Sequence, residues 1–312
     1  MTAKPMRFSF SPFPYDRWGG VEPIARAAKR AEELGYFGMV MPEHIIMPVR
    51  PDVPPVSIVW YDNFVLGAHL ATLTKRLRLI FLVMVVPYRP PIQMAKLLST
   101  LDVVSNGRLI AGVGAGWMRG EFRTLGIDIT KRGDLTDEYL RAMRALWTQE
   151  RPEFEGATVK FGNIAFEPKC VQKPHVPLWI GGSGPRPIRR LIELGDGWSP
   201  MVGTIETLTK ELAAVKTALR AAGRDPEALD YSWSFHVGEP DPASVQARKH
   251  ASSGAIKTEK TLATPEEIIA EARRFQEAGF NHLTLLFNWQ KPADMTQKLE
   301  WFAAKVMPAF KG

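Results

Sequence analysis

The 312-residue sequence contains one cysteine, Cys170, so it cannot form an intrachain disulfide bond. It also lacks a long apolar run. The longest, LIFLVMVV at residues 79–86, is far shorter than the ~20 residues that a membrane-spanning helix requires. The opening residues MTAKPMRFSF show no signal-peptide pattern. Together these absences predict a soluble, cytoplasmic protein that does not interact with a membrane.

The charge and histidine patterns argue against a nucleic-acid partner and against a metal site. The chain carries 40 Lys and Arg against 33 Asp and Glu, a net charge of +7, but these residues are interspersed and form no run of five like charges. This distribution predicts a solvated surface around a small-molecule site rather than a nucleic-acid interface. The six histidines show no metal-ligand spacing such as H-E-x-x-H, so we predict no metal.

A repeated pattern predicts the fold. In three stretches a helix-like segment ends at glycine and an extended apolar segment follows: AEELGYFGMVM (31–41), IELGDGWSPM (192–201) and QEAGFNHLTLLF (276–287). Helix followed directly by strand is typical of α/β proteins with a parallel sheet. Eight segments qualify as strands: 7–10, 37–41, 78–86, 109–113, 178–180, 197–201, 231–237 and 282–287. Eight βα units favour a closed (β/α)8 TIM barrel over an open sheet.

Four stretches interrupt this pattern and are predicted to be insertions at the C-terminal face of the strands: 42–61, 115–133, 151–177 and 239–262. The first is rich in proline, and the third alternates like a small hairpin between glycines. No linker composition separates two halves of the chain, so we predict a single domain over residues 1–312.

The segment LWIGGSGPRPIRR (178–190) suggests an anion site. A strand ends in glycines, and a proline and arginine open the next helix. Free backbone N–H groups at a helix N-terminus bind anions, and Arg186 would add a charge-assisted contact. A tight strand-to-helix turn that needs glycine for its backbone angles is an equally good interpretation of this segment alone.

Other candidate residues follow the strands. His44, directly after the second strand and beside Glu43, is a candidate general acid or base; the alternative is a surface histidine. GVGAGW (112–117) does not match the dinucleotide pattern G-x-G-x-x-G and indicates close approach to a flat ligand, or else a turn at the barrel rim. Four aromatic residues in irregular segments suit a planar cofactor or apolar substrate, or simple packing: Trp60, Tyr61, Trp117 and Trp289.

Taken together and in order, several motifs resemble those of the bacterial luciferase-like flavin-dependent oxidoreductases, especially the subgroup that uses the deazaflavin coenzyme F420. The motifs span nearly the whole chain: AEELGYFG, PEHIIMP, RLRL, VPYRPP, STLDVVSNGR, GVGAGWMRGEF, RALW, FEPKCVQKPHVPLWIGGSGP and LGDGWSP. The resemblance implies a (β/α)8 barrel, a homodimer, and a flavin or deazaflavin at the C-terminal ends of the strands.

The resemblance also implies roles for individual residues. The cofactor phosphate would be held by the turn of Gly182, Ser183, Gly184, Pro185 and Arg186. His44 would lie beside the isoalloxazine ring, next to Glu43, where deazaflavin members commonly have Asp. A non-prolyl cis peptide that supports the ring would lie within Phe81, Leu82 and Val83. The ring would be bordered by Gly112, Gly114 and Gly116.

One departure from the family pattern bears on the substrate. Sugar-phosphate dehydrogenases of the family have a glutamate directly after the glycine segment, whereas this chain has Trp117 there and Glu121 four positions later. We therefore expect an apolar or aromatic substrate, with Trp60, Tyr61, Trp117, Glu121 and Trp289 as candidate pocket residues.

Four functions are consistent with these features. The first is hydride transfer between F420 and a small organic substrate. The second is a monooxygenase that uses reduced FMN and oxygen. The third is a flavin-binding protein without catalysis, in which replacement of His44 by alanine would change nothing. The fourth is a flavin-free barrel that acts on phosphorylated metabolites.

Overall fold

The computed structural model describes residues 4–48, 57–239 and 262–311. Within them, eight parallel strands form a closed barrel. Their bounds are β1 Arg7–Phe10, β2 Gly38–Met41, β3 Arg78–Val85, β4 Leu109–Gly114, β7 Leu178–Gly181, β8 Gly197–Ser199, β9 Asp230–Val237 and β10 His282–Phe287. Around the barrel they follow the order β1-β10-β9-β8-β7-β4-β3-β2. All eight predicted strands are confirmed, with ends that differ by a few residues.

Helices surround the barrel: α1 Val21–Glu33, α2 Asn63–Leu73, α3 Pro91–Val104, α4 Arg119–Thr124, α5 Arg132–Thr148, α6 Pro185–Leu194, α7 Ile205–Ala221, α8 Pro265–Glu277 and α9 Pro292–Lys305. α1 shows why they pack there, because its buried residues recur at helical spacing and face the sheet: Ile24, Ala25, Ala27, Ala28 and Ala31. β3, RLIFLVMV, is almost continuously apolar, as expected for a parallel strand covered on both faces.

The predicted insertions are irregular in different ways. The stretch 151–177 contains the expected hairpin, in which β5 Phe154–Glu155 pairs antiparallel with β6 Lys160–Phe161. The stretch 115–133 contains α4 and a short 3-10 helix, Ile129–Lys131. Residues 49–56 of the first insertion and 240–261 of the last lie outside the described residues.

Because all barrel strands are parallel, their C-terminal ends meet at one face. The loops that follow β2, β3, β4 and β7 therefore converge there, and these are the loops to which most of the predicted site residues belong.

Candidate active site

A cavity of about 590 Å³ opens at this face of the barrel. It brings together most of the residue groups that the sequence singled out. One end contains His44 and aromatic side chains, and the other contains Gly182 from the turn that precedes α6 and three arginines, Arg132, Arg186 and Arg190. Predicted site residues on its wall are Glu43, His44, Trp60, Leu82, Val83, Gly114, Gly116, Trp117, Gly182 and Arg186.

His44 is held from behind by a buried carboxylate. Its Nδ1 lies 2.8 Å from Oε2 of Glu121, which is fully buried and does not line the cavity. Tyr88 donates to the same oxygen over 2.7 Å, and the backbone N–H groups of Ile45 and Ile46 donate to Oε1. Burial alone would raise the pKa of Glu121, but the bonds from His44, Tyr88 and Ile45 outweigh it and hold that pKa below its usual range.

Both carboxylate oxygens of Glu43 accept hydrogen bonds from within the chain. Its Oε2 accepts the N–H of Val85 over 2.8 Å and its Oε1 accepts from Arg89 over 2.6 Å. Arg89 also reaches Asp62, the residue that caps α2, over 3.0 Å. Burial raises the pKa of Glu43, and the bonds from Arg89 and Val85 offset this only in part. The Glu43 carboxylate thus connects the end of β2 to β3 and to Arg89.

The glycines on β4 and β7 make room for the end of β3. The peptide bond between Leu82 and Val83 is cis, in the segment where the resemblance places such a bond, and the β3–β4 register shifts there. A Cβ on Gly181 would lie 2.5 Å from Val83 Cγ1, and one on Gly114 would lie 3.3 Å from Val83 Cγ2. Val83 can therefore lie between these two glycines at the cavity wall.

Gly112 and Phe81 do not reach the cavity. A Cβ on Gly112 would lie 2.6 Å from the backbone oxygen of Phe81 and 2.4 Å from Leu82 Cδ1. Phe81 is fully buried and packs edge-on against Phe64, with 5.5 Å between ring centroids. The close approach that the sequence pattern indicated is thus, at Gly112, an approach of β4 to β3.

The turn before α6 has the backbone that its glycines predict. Gly182 and Gly184 have φ values of +101° and +92°, a region that favours glycine. The N–H of Gly182 donates to Ser199 O, and that of Gly184 donates to Oε1 of Glu211 over 3.2 Å. Pro185 begins α6, as predicted. Ser183, Gly184 and Pro185 do not line the cavity in this conformation.

Arg186 is already paired within the chain. Its guanidinium contacts Asp134 and donates through Nε to Asp137 over 2.8 Å. Asp137 also accepts from the buried Arg190, which donates to Gly133 O over 2.9 Å. A Cβ on Gly133 would lie 2.6 Å from Arg186 Nη1, so the glycine leaves room for the guanidinium.

The aromatic candidates separate into two groups. Trp60 stacks on Phe13 and meets His44 edge-on, with centroids 5.2 and 4.7 Å apart. Trp117 also meets His44 edge-on, with centroids 6.1 Å apart. The structure places the other two elsewhere. Tyr61 packs on Tyr15, and the buried Trp289 packs on Trp18 and lines a separate cavity.

The sequence analysis did not identify three side chains near the end of the cavity that contains Arg186: Asp137, Arg190 and Glu211. The spacing of Arg186 and Arg190, four residues apart in a helix, places both on one face of α6 and was an available signal. Nothing local indicates that Asp137 from α5 or Glu211 from α7 would reach them.

Within the described ranges, neither a membrane-spanning helix nor a metal-binding cluster is present. No helix in them is long and apolar enough to cross a membrane. No group of three or more His, Cys, Asp or Glu side chains in them is arranged to hold a metal ion.

Similarity to known proteins agrees with this architecture. An uncharacterized protein of Mycobacterium tuberculosis is 34% identical over 232 residues, 70% of this chain and 80% of that protein. The FMNH(2)-dependent dimethylsulfone monooxygenase of Pseudomonas putida is 31% identical over 126 residues, 39% of this chain and 34% of that protein.

Two solved structures share the fold. The monooxygenase RslO1 from Streptomyces bottropensis superimposes with a TM-score of 0.81 at 23% identity, covering 98% of this chain and 100% of that one. An F420-dependent secondary alcohol dehydrogenase superimposes with a TM-score of 0.78 at 21% identity, covering 99% and 100%. The family model for luciferase-like monooxygenases matches residues 9–256, and the chain belongs to that family.

Proposed function

We propose that this protein binds coenzyme F420 in the 590 Å³ cavity and catalyses hydride transfer between the coenzyme and a small apolar or aromatic substrate. One observation carries the proposal: His44, whose Nδ1 is bonded to Glu121, and Gly182 and Arg186 next to α6 line the same cavity, with a glycine of β4 on its wall. A noncatalytic flavin binder would not need the buried carboxylate behind His44.

The cavity wall suits a flat ring. Gly114 and Gly181 leave space that Val83 fills, and Val83 is half-buried at the wall. A planar tricycle can rest on such an apolar surface, with Gly116 at its edge. A side chain at Gly114 would project into the same space, so these residues fit the proposed cofactor.

The turn before α6 supports F420 over FMN by its charge. The phosphate of FMN is a monoester with a charge near −2 at neutral pH, whereas that of F420 is a diester with one charge. Pro185 and Pro187 have no N–H to offer, and the N–H of Gly184 faces the Glu211 carboxylate. Asp134 and Asp137 already balance Arg186. A site with few free donors and a nearby carboxylate favours the singly charged diester.

The chemistry divides between cofactor and protein. When bound, the deazaflavin would supply or accept hydride. His44 Nε2, which makes no hydrogen bond within the described residues, would take the proton from a substrate hydroxyl or return it to a carbonyl oxygen. Phe13, Trp60 and Trp117 would hold the apolar part of the substrate and exclude water.

The second candidate function is a monooxygenase that uses reduced FMN. It is supported by the 31% identity to the FMNH(2)-dependent dimethylsulfone monooxygenase. An apolar pocket that excludes water would serve that reaction as well. The two candidates therefore differ mainly in the cofactor phosphate that the turn before α6 would bind.

Binding titrations with F420 and FMN, each oxidised and reduced, test the proposal. We expect tighter binding of F420. Glu211→Gln should strengthen FMN binding about fivefold more than F420 binding, since one additional phosphate charge ~4 Å from a carboxylate costs about 1 kcal/mol in water. Glu206→Gln, on the same helix but paired with Arg274, is the matched control. Preference for reduced FMN would favour the monooxygenase, and binding of neither would leave a flavin-free enzyme for phosphorylated metabolites.

We also propose a homodimer formed through α2 and α3. Both helices carry apolar side chains on their outer faces, and Val65 is 72% exposed. The other exposed apolar residues on α3 are Ile92, Leu97, Val103 and Val104. Sedimentation equilibrium should give twice the chain mass, and Leu97→Glu should shift the protein toward monomer; a monomeric wild type would contradict this assignment.

A further inference from the structure

Glu121 contacts His44 on the cavity wall without reaching the cavity itself, because its side chain is fully buried. We propose that Glu121, assisted by Tyr88, is a positioning residue that fixes the proton of His44 on Nδ1 and thereby makes Nε2 the atom that exchanges a proton with the substrate. The kinetic part of this inference rests on the proposed function; the structural part does not.

The hydrogen-bond count determines the tautomer. An ionised carboxylate only accepts, with about four lone-pair sites on two oxygens. On Oε1, two of these sites are occupied by the N–H groups of Ile45 and Ile46, at 2.7 and 3.2 Å. On Oε2, the other two face Tyr88 O–H and His44 Nδ1, at 2.7 and 2.8 Å. Since the carboxylate has no proton to give, Nδ1 must carry the hydrogen, which leaves Nε2 as the acceptor.

The charge of Glu121 has one possible compensating cation among these partners. Ile45 and Ile46 contribute amides and Tyr88 a phenol, so within the described residues only His44 can become positive beside the carboxylate. When Nε2 takes a proton, the ring becomes an imidazolium whose Nδ1–H donates to Oε2, and this charge-assisted bond stabilises it. Glu121 therefore favours proton uptake at Nε2 without accepting a proton itself.

Tyr88 limits this effect and fixes its geometry. It donates to the oxygen that His44 uses, so it lowers the attraction of that oxygen for the imidazolium. Its ring packs edge-on against Phe122, the residue after Glu121 on α4, with centroids 5.0 Å apart.

A purely structural role for Glu121 is the competing explanation, because its bonds to Ile45 and Ile46 also hold the loop after β2 against α4. The chain provides a matched control in Glu32, whose carboxylate accepts the backbone N–H groups of Lys75, Arg76 and Leu77 without touching a histidine. Glu32→Gln reproduces the loss of a carboxylate that holds a loop, and Glu121→Gln adds the effect on His44.

The first experiment is long-range 1H–15N NMR of the histidine rings in cofactor-free protein, with His44 identified by its loss in His44→Gln. We expect the neutral wild-type ring to carry its proton on Nδ1. Glu121→Gln should shift the proton toward Nε2, because the carboxylate that accepts from Nδ1 is lost. Tyr88→Phe should keep the wild-type tautomer, and Glu32→Gln should leave it unchanged.

A wild-type ring protonated on Nε2 when neutral would overturn the proposal, as would an unchanged tautomer in Glu121→Gln. If Glu121→Gln does not fold, the tautomers of the wild type and of Tyr88→Phe decide. Since no cofactor is needed, His44 can behave as proposed in a protein that fails to bind F420; that result would reject the proposed function and keep the positioning role.

The second experiment is kinetic. In an enzyme that turns over, Glu121→Gln should lower kcat about 100-fold, within the range of a positioned general acid or base, with little change in KM. The acid limb of the kcat/KM profile should move to lower pH, and Glu121→Asp should restore part of the rate. A loss of rate with an unmoved pH profile would instead assign Glu121 a structural role.

Discussion

Gly112 and Gly114 lie two residues apart on β4, but replacing them with alanine should affect different properties. We expect Gly112→Ala to lower stability and Gly114→Ala to weaken cofactor binding. At Gly112 the new Cβ would lie 2.6 Å from the carbonyl oxygen of Phe81, 2.4 Å from Leu82 Cδ1 and 3.2 Å from Leu82 Cα. The leucine methyl can rotate away, but the carbonyl belongs to the paired strand β3 and cannot. The strands must separate, and we expect a loss near the upper end of the ~1–3 kcal/mol typical of overpacking.

At Gly114 the three atoms nearest to the same Cβ all belong to the Val83 side chain, at 3.3, 3.5 and 3.8 Å. A contact of this kind costs less than about 1 kcal/mol once the valine adjusts. The methyl group would stand on the cavity wall, however, where the proposed cofactor ring rests. We therefore expect Gly114→Ala to be nearly as stable as the wild type and to bind the cofactor more weakly.

Urea unfolding of cofactor-free protein at one fixed protein concentration separates the two variants. Gly112→Ala should lower the midpoint with an unchanged m-value, and Gly114→Ala should leave it nearly unchanged. Cofactor titrations on the same samples then measure affinity. If Gly112→Ala unfolds like the wild type but binds the cofactor more weakly, the glycine makes room for a ligand rather than for strand β3. That result would refute the prediction that a methyl group here clashes with the carbonyl oxygen of Phe81.

Three further predictions concern stability. Asp137→Asn should lower the free energy of unfolding by about 3–5 kcal/mol, because the buried Arg190 would lose its carboxylate partner. Urea unfolding measures this loss. The control Asp134→Asn should leave the urea midpoint almost unchanged, because the Asp134 side chain is 79% exposed. Burial holds the pKa of His282 well below 6.5, so only the unfolded chain takes up this proton. The free energy of unfolding should therefore fall as the pH drops below about 6.5, by up to about 1.4 kcal/mol per pH unit. In His282→Asn the urea midpoint should depend less on pH between pH 7 and 5.5, and the same pH dependence as in the wild type would contradict this. Thr264→Ala removes the N-cap of α8 and should cost about 1 kcal/mol in thermal melts, with no change meaning that the cap contributes nothing.

The fold was predictable because its signals are local. Glycine after a helix and an apolar segment after the glycine recur along the chain, and each recurrence predicted a barrel strand that the structure contains. Even the hairpin at 154–161 followed from alternation between glycines. The boundaries were less accurate: the predicted strand 197–201 ends at Ser199, since the hydrogen-bond ladder, rather than the apolar pattern, determines where a strand stops.

The candidate site was predictable only in outline. Strand ends identified His44 and the turn at Gly182, because a parallel barrel gathers those ends at one face. The partners of these residues were not visible, since Glu121 lies 77 positions from His44 and Asp137 lies 49 from Arg186. Glu121 itself was found, but as a candidate pocket residue; the sequence gives no sign that its carboxyl would lie behind the histidine.

These distant partners have a common origin in the segment after β4. α4 supplies Glu121 to His44 at one end of the cavity, and the first turns of α5 supply Asp137 to Arg186 and Arg190 at the other. A buried carboxylate beside a basic group fixes both the position and the charge state of that group. A displacement of 115–137 would therefore alter the proton site and the anion site together, whereas changes in the loop after β2 or the turn before α6 would alter one of them. The proposed chemistry needs both ends at once, and this segment contacts both.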